Sequence, residues 1–202
     1  APMTSCAASC SCGTPAPARH VSVASLSDEA KEHTIVINGV SKSHAMTGWR
    51  IGYAAGPKAV IQAITKLLGQ TTSGSCSISQ KAAVAALRMP PETVESMRKV
   101  FDERRRFMVA RLRSIRGVSC SEPLGAFYAF PDIRGFMGKK LGAVRISSCM
   151  EFAKALLEKK EVAIVPGMAF GAPGFARLSY AASMETLKKG LDRIEELLGE
   201  MH

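Results

Sequence analysis

The chain has 202 residues, 47% hydrophobic, 22% charged and 6% aromatic, and its 27 Lys and Arg against 17 Asp and Glu give a net charge of +10. That balance belongs to a globular chain able to bury a core in one or two domains, and it excludes a wholly disordered or collagen-like polypeptide. No run approaches the roughly 18 continuous apolar residues of a membrane helix, and the first charge, Arg19, has no apolar stretch beside it of the kind a secretory signal carries. No membrane partner is expected, and the expected location is cytoplasmic.

Residues 1–18 are low in apolar bulk and read as a disordered leader. Cys6, Cys10 and Cys12 lie in it at a spacing that matches no standard zinc pattern, with no histidine before His20, so no metal site is expected. Cys76, Cys120 and Cys149 are isolated and read as small buried hydrophobes in a reducing compartment. The β-branched run at residues 34–38, ending at Gly39, reads as a buried strand, and residues 49–54 as a second strand closed by Gly56 and Pro57. Pro57 suits the first turn of a helix that carries Val60, Ile61, Ile64, Leu67 and Leu68 on one face and stops at Gly69. Ser77 and Gln80 form a capping-box pair for the next helix, which runs through Leu87. Met89, Pro90 and Pro91 then break the chain.

Between Pro91 and Arg116, Arg98, Lys99, Arg104, Arg105, Arg106, Arg111, Arg113 and Arg116 stand against Glu92, Glu95, Asp102 and Glu103. Such a density could mark a nucleic-acid surface. Val94, Met97, Phe101, Met108, Leu112 and Ile115 recur in the same window at helical intervals, however, which places most of the charges on the solvated side of one long helix. No aromatic residues interleave the arginines to stack bases, so no nucleic-acid partner is expected. Farther on, residues 125–131 read as a strand, 135–142 as a Gly/Lys loop, and Ser148 with Glu151 as a second capping box. Residues 162–165 and 175–180 read as strands, and Leu187, Leu191, Ile194 and Leu198 mark a final helix. Interleaved strands and helices place the chain in the α/β or α+β class.

One segment carries more than periodicity. Asn38-Gly-Val-Ser-Lys-Ser-His-Ala-Met-Thr-Gly-Trp-Arg-Ile-Gly-Tyr53 resembles the cofactor-lysine motif of the class I aminotransferases, fold-type I enzymes dependent on pyridoxal 5'-phosphate (PLP), and looks most like their bacterial aspartate aminotransferase branch. The likeness continues through Gly56-Pro57-Lys58, Gly125-Ala-Phe-Tyr128, Val165-Pro-Gly167 and Ala176-Arg-Leu-Ser-Tyr-Ala181, in the family's order, over roughly residues 19–202. The resemblance implies an α/β fold made of a remnant of the large sheet domain and the small α+β C-terminal domain. Residues 19–90 would be the C-terminal part of the large PLP-binding domain, and 91–202 the interdomain helix and small domain. It further implies amino-group transfer between an amino acid and a 2-oxo acid, PLP as cofactor, and a homodimeric assembly.

The residue types suit that chemistry. A lysine amine that is partly deprotonated can condense with an aldehyde and later move a substrate's α-proton. By resemblance that lysine is Lys42. A guanidinium grips a phosphate dianion through paired donors, and the resemblance assigns this to Arg50, which sits in what reads as an apolar strand, with Ser41 as a hydroxyl donor. A small polar residue at Ser41 could equally serve a turn. Arg177 shares a strand face with Phe175 and Ser179, opposite Ala176, Leu178 and Tyr180. The family places this arginine on the substrate's α-carboxylate, against the alternative of a surface ion pair. Phe127 would line the pocket or simply pack.

The sequence departs from the family in one respect. The motif lysine, which sits past the middle of a longer family chain, is here residue 42. The upstream half would supply the ring that stacks on the cofactor and the acid that pairs with its pyridine nitrogen, the group that makes it an electron sink. Residues 1–18 contain no Asp, Glu, Tyr, Phe or Trp to substitute. The chain is therefore expected to be the C-terminal portion of an aminotransferase, inactive by itself, with an exposed strand edge and apolar faces around residues 34–38. Two readings stand beside it: a non-catalytic chain that packs against a partner subunit, and another enzyme of the same fold such as a lyase or synthase. The Trp-Arg-Ile-Gly-Tyr block together with Arg177 favours transamination.

Overall fold

The computed structural model describes residues 20–202. The leader and its three cysteines lie outside the described residues. The chain divides into two compact units, Ala1–Met97 and Arg98–His202.

In the first unit a short helix α1 (Asp28–Glu32) is capped by Ser27, whose hydroxyl accepts the Ala30 N–H at 3.0 Å. The strand read at residues 34–38 is β1 (Val36–Gly39), paired antiparallel with β2 (Gly52–Ala55) in a register that sets Gly39 opposite Gly52. Both glycines answer a close backbone approach. A Cβ on Gly39 would fall 3.2 Å from the Ile51 carbonyl oxygen, and one on Gly52 would fall 3.2 Å from that of Asn38. The second strand starts later than its apolar run suggests, because Thr47–Trp49 forms a 3-10 turn and Arg50 follows in the left-handed region at φ 49°, ψ 49°. Arg50 is thus a loop residue, not a strand residue.

Helix α2 (Lys58–Thr71) begins directly after Pro57 and runs through Gly69. The stop is set two residues beyond α2's end, where Ser73 and Gly74 take positive φ, while the Thr71 and Thr72 hydroxyls bond the Leu67 and Leu68 carbonyls. Helix α3 (Ser77–Leu87) does not use the expected box: Cys76 is its cap residue, and Gln80 instead donates to the Ser75 carbonyl at 2.7 Å. Among the described residues the buried core here is Val40, Ala83 and Ala86, with Met46 and Ile51 packed against them. The apolar face of α2 is largely uncovered, with Leu67 and Leu68 exposed, and Ile37 of β1 is 83% exposed. Cys76 is exposed as well, whereas Cys120 and Cys149 are buried as expected.

Helix α4 (Pro91–Ser114) is the long basic helix. From Arg98 onward it belongs to the second unit, where Met108, Val109 and Leu112 bury against α5 (Cys149–Lys160) and α6 (Met184–Gly199) in one core. Not every charge faces solvent. Asp102 and Arg105 are buried, because each finds its partner inside: Asp102 Oδ1 accepts from Arg105 Nε at 3.0 Å and Nη2 at 2.9 Å, while Arg105 Nη1 reaches Glu122 at 2.6 Å.

Short strands complete this unit: β3 (Ser119–Cys120), β4 (Tyr128–Ala129), β5 (Pro131–Asp132), β6 (Lys140–Leu141), β7 (Val144–Arg145), β8 (Val165–Pro166) and β9 (Ala176–Ser179). Residues 125–131 are not one strand, since Ala126 sits at φ 59° and the segment then serves two sheets, β4 pairing with β9 and β5 with β3. The Gly/Lys loop ends in the β6–β7 hairpin, and only Val165 of residues 162–165 enters a strand. Two expectations hold closely. Ser148 accepts the Glu151 N–H at 3.2 Å while the Glu151 carboxylate accepts the Ser147 N–H at 2.6 Å, and α6 buries Leu187, Leu191, Ile194 and Leu198. In β9 and the residue after it, Ala176, Leu178 and Tyr180 are buried, and Arg177 and Ser179 lie on the other face.

Candidate active site

In the first unit, the chain between Gly39 and Gly52 is a loop tied at both ends by the β1–β2 pairing. Val40 at its start is 1% exposed, and with Met46 in its middle and Ile51 at its end it packs on Ala83 and Ala86 of α3. Ser41 and Lys42 follow the first anchor directly, and Arg50 immediately precedes the last. Backbone bonds from His44 N to Val40 O (3.1 Å) and from Trp49 N to Met46 O (3.3 Å) fold the loop on itself. The Arg50 guanidinium bends back to the Thr47 carbonyl at 3.1 Å, with the rest of its donor fork outward. Ser41 is half-buried, while Lys42 and Arg50 are exposed.

The charge pattern around the loop is one-sided. From Glu32 to Glu92 the sequence has no acid, but it carries Lys42, Arg50, Lys58, Lys66, Lys81 and Arg88. An amine, hydroxyls and a guanidinium in an acid-free segment make a donor set for an anionic ligand.

In the second unit, Arg177 is half-buried on the face of β9 that carries Ser179. Its guanidinium carbon lies 4.3 Å from the centre of the Tyr128 ring and 4.5 Å from that of Phe170. No ion pair to Arg177 occurs among the described residues. Phe127 packs inward, against Phe101 at 6.2 Å and Tyr128 at 4.4 Å between ring centres, and its carbonyl accepts the Tyr180 N–H at 2.9 Å. Gly167, in the Val-Pro-Gly block, permits the chain to fold tightly before β9, since a Cβ there would come within 2.6 Å of the Phe175 carbonyl oxygen.

The family pattern described as aminotransferase class I and II matches residues 10–194. The chain belongs to that family. It is 49% identical over 184 residues to the aspartate aminotransferase of Geobacillus stearothermophilus, a match that covers 90% of this chain and 45% of that protein. Among solved structures it is similar to the aspartate aminotransferase from Rhizobium meliloti, with a TM-score of 0.86, 43% identity, and coverage of 91% of this chain and 46% of the other. It is also similar to an aromatic aminotransferase from Pyrococcus horikoshii OT3, with a TM-score of 0.78 and 39% identity, covering 91% and 47%. The chain spans less than half the length of these relatives. The mixed helix-and-sheet fold read from the sequence, and the likeness to aspartate aminotransferases, agree with these findings.

The aminotransferase motif residues fall into two local groups. Ser41, Lys42 and Arg50 share the anchored loop of the first unit, and Phe127 and Arg177 lie on adjacent strand segments of the second. The loop's donor chemistry fits PLP: an amine for its aldehyde, and a hydroxyl and guanidinium for its phosphate. Sequence reasoning overlooked Tyr128 and Phe170. Tyr128 had a signal, because it pairs with Ser179 and therefore lies diagonally from Arg177 on the same face. Phe170 closes a 3-10 turn, Gly167–Phe170, whose direction no periodicity reveals.

Proposed function

We infer that the protein is a PLP-dependent aminotransferase of the aspartate aminotransferase type, moving an amino group between an amino acid and a 2-oxo acid. The observation that carries this reading is the anchored, acid-free loop presenting Ser41, Lys42 and Arg50 in a chain of the aminotransferase family. When bound, PLP supplies an aldehyde that captures the amino group and a ring that withdraws electrons from the substrate's Cα. Lys42 would hold the cofactor through its amine and would move the proton at that Cα. Arg50 and Ser41 bind the phosphate, and Arg177 orients the substrate through its α-carboxylate. Phe127 backs Tyr128 beside that arginine. Residues 19–90 would serve as the cofactor-binding part and 91–202 as the interdomain helix and small domain, in a homodimer acting in amino-acid metabolism in the cytoplasm.

One observation favours a second reading, a chain that acts by packing on a partner subunit: Ile37, Leu67 and Ile78 of the first unit are 83%, 65% and 70% exposed. A single experiment divides the two. Aspartate and 2-oxoglutarate are offered to the purified chain alone and to the chain mixed with the unmatched remainder of a relative. Amino transfer is expected only in the mixture. Transfer in neither leaves the packing reading standing, and transfer by the chain alone refutes the dependence on further residues.

The two arginines should fail differently. Arg50→Ala is expected to weaken PLP retention about 10- to 100-fold, the loss of a charge-assisted phosphate contact. Arg177→Ala should leave PLP retention within about twofold while weakening carboxylate binding by a similar 10- to 100-fold. Equilibrium dialysis for PLP and a succinate titration of the same samples check both. Equal losses on both ligands would show that the substitutions act through folding.

A further inference from the structure

We propose that Tyr128 and Phe170 are positioning residues that hold the Arg177 guanidinium ready for a carboxylate, an inference that rests on the reading of Arg177 given above. An unbound arginine side chain samples many rotamers, and a carboxylate that fixes it must offset that lost freedom. An acid could restrain the arginine, but a resident carboxylate would compete with the substrate's. Here the restraint is aromatic. The guanidinium carbon lies 4.3 Å from one ring centre and 4.5 Å from the other, close enough for its flat face to rest on π-systems. Ring faces restrain a guanidinium while leaving its in-plane N–H edge for paired bonds to a carboxylate.

The two rings reach Arg177 from different elements. Tyr128 comes from β4, held by pairing with β9, and Phe170 from the 3-10 turn that follows β8. Among the described residues Tyr128 and Phe170 make no ring contact with each other, so the guanidinium is what joins them. Each ring is braced from behind. Phe127 packs on Tyr128 at 4.4 Å, and Phe130 meets Phe170 edge-on at 6.1 Å while stacking on Phe175 at 5.3 Å. No hydrogen bond among the described residues uses the Tyr128 hydroxyl, so its ring and not its oxygen is the working part.

The test follows the Arg177 side-chain Nε–Hε resonance of the full chain by NMR during titration with succinate as a carboxylate probe. Tyr128→Leu and Phe170→Leu should each abolish the ring-current displacement of that resonance and weaken succinate binding about tenfold. Tyr128→Phe should retain both properties, a rescue that a lost hydroxyl contact would not permit. In an Arg177→Ala background, Tyr128→Leu should cost nothing further, as coupled residues require. If Tyr128→Leu unfolds the chain, Phe170→Leu, at a residue 47% exposed, carries the same expectation. Unchanged succinate affinity in the leucine variants, with binding abolished by Arg177→Ala, overturns the positioning role alone. Unchanged affinity in Arg177→Ala overturns both that role and the reading of Arg177 as the carboxylate receptor.

Discussion

Lys42→Ala should leave a chain to which borohydride fixes no PLP, whereas Lys58→Ala should label like the parent. Lys42 lies two residues past Val40, which is 1% exposed and seated on α3, in a loop whose ends are fixed by the β1–β2 pairing. Lys42 thus shares one anchored loop with Ser41 and Arg50, the donor set proposed above for the aldehyde and phosphate of PLP. Lys58 opens α2 beyond β2 and lacks those neighbours in its segment. On the proposed role of Lys42 in moving the α-proton, Lys42→Ala should lower amino transfer in the mixture with a relative's unmatched remainder by roughly 10²–10⁴-fold. Peptide mapping after reduction checks the site. Label found chiefly on Lys139, Lys140 or α6 would mean surface imines and would sink the assignment.

Asp102→Ala should destabilise the second unit by about 3–5 kcal/mol, the usual consequence of removing one partner of a buried pair. Asp102 and Arg105 expose 5% and 0% of their side chains, and without Asp102 the Arg105 Nε and Nη2 donors lose that acceptor in the interior, with Glu122 still on Nη1. Arg106 contacts the same carboxylate with 60% of its side chain exposed, so Arg106→Ala should cost no more than about 1 kcal/mol. Urea unfolding followed by far-ultraviolet circular dichroism compares the two. Equal losses would show that the burial of Arg105 does not govern the effect. Glu122, the third member, adds a pH dependence. The hydrogen bond and charge of Arg105 hold its carboxyl below the ordinary carboxylate range. Its contribution is therefore fully present above that ordinary range and lost as pH falls through the lowered value.

Much of the candidate site was legible because its signals are local. The order of Ser41, Lys42 and Arg50 within one short segment, and the recurrence of the later blocks, are properties of the chain itself. The final helix and the Ser148–Glu151 cap were readable for the same reason, since apolar spacing and a side chain three residues from its amide need no tertiary partner.

Other features depend on groups outside the local pattern. Arg50 sits between Trp49 and Ile51, and alternation alone makes it a strand residue. The 3-10 turn before it and the seat of Ile51 on α3 instead turn it into a left-handed loop position. Asp102 and Arg105 looked like charges on a solvated helix face, because their burial depends on the core beneath α4 and on Glu122, 17 residues past Arg105, as well as on their own pairing. The aromatic hold on Arg177 draws on β4, β9 and the turn after β8, three segments whose proximity exists only once the sheet has formed. The family, the motif around Lys42 and the spacing of the helices were legible along the chain, since all depend on near neighbours in sequence. Which charges are buried, where strands end and which rings meet Arg177 became visible only in the folded chain, because each depends on burial and pairing between residues far apart in sequence.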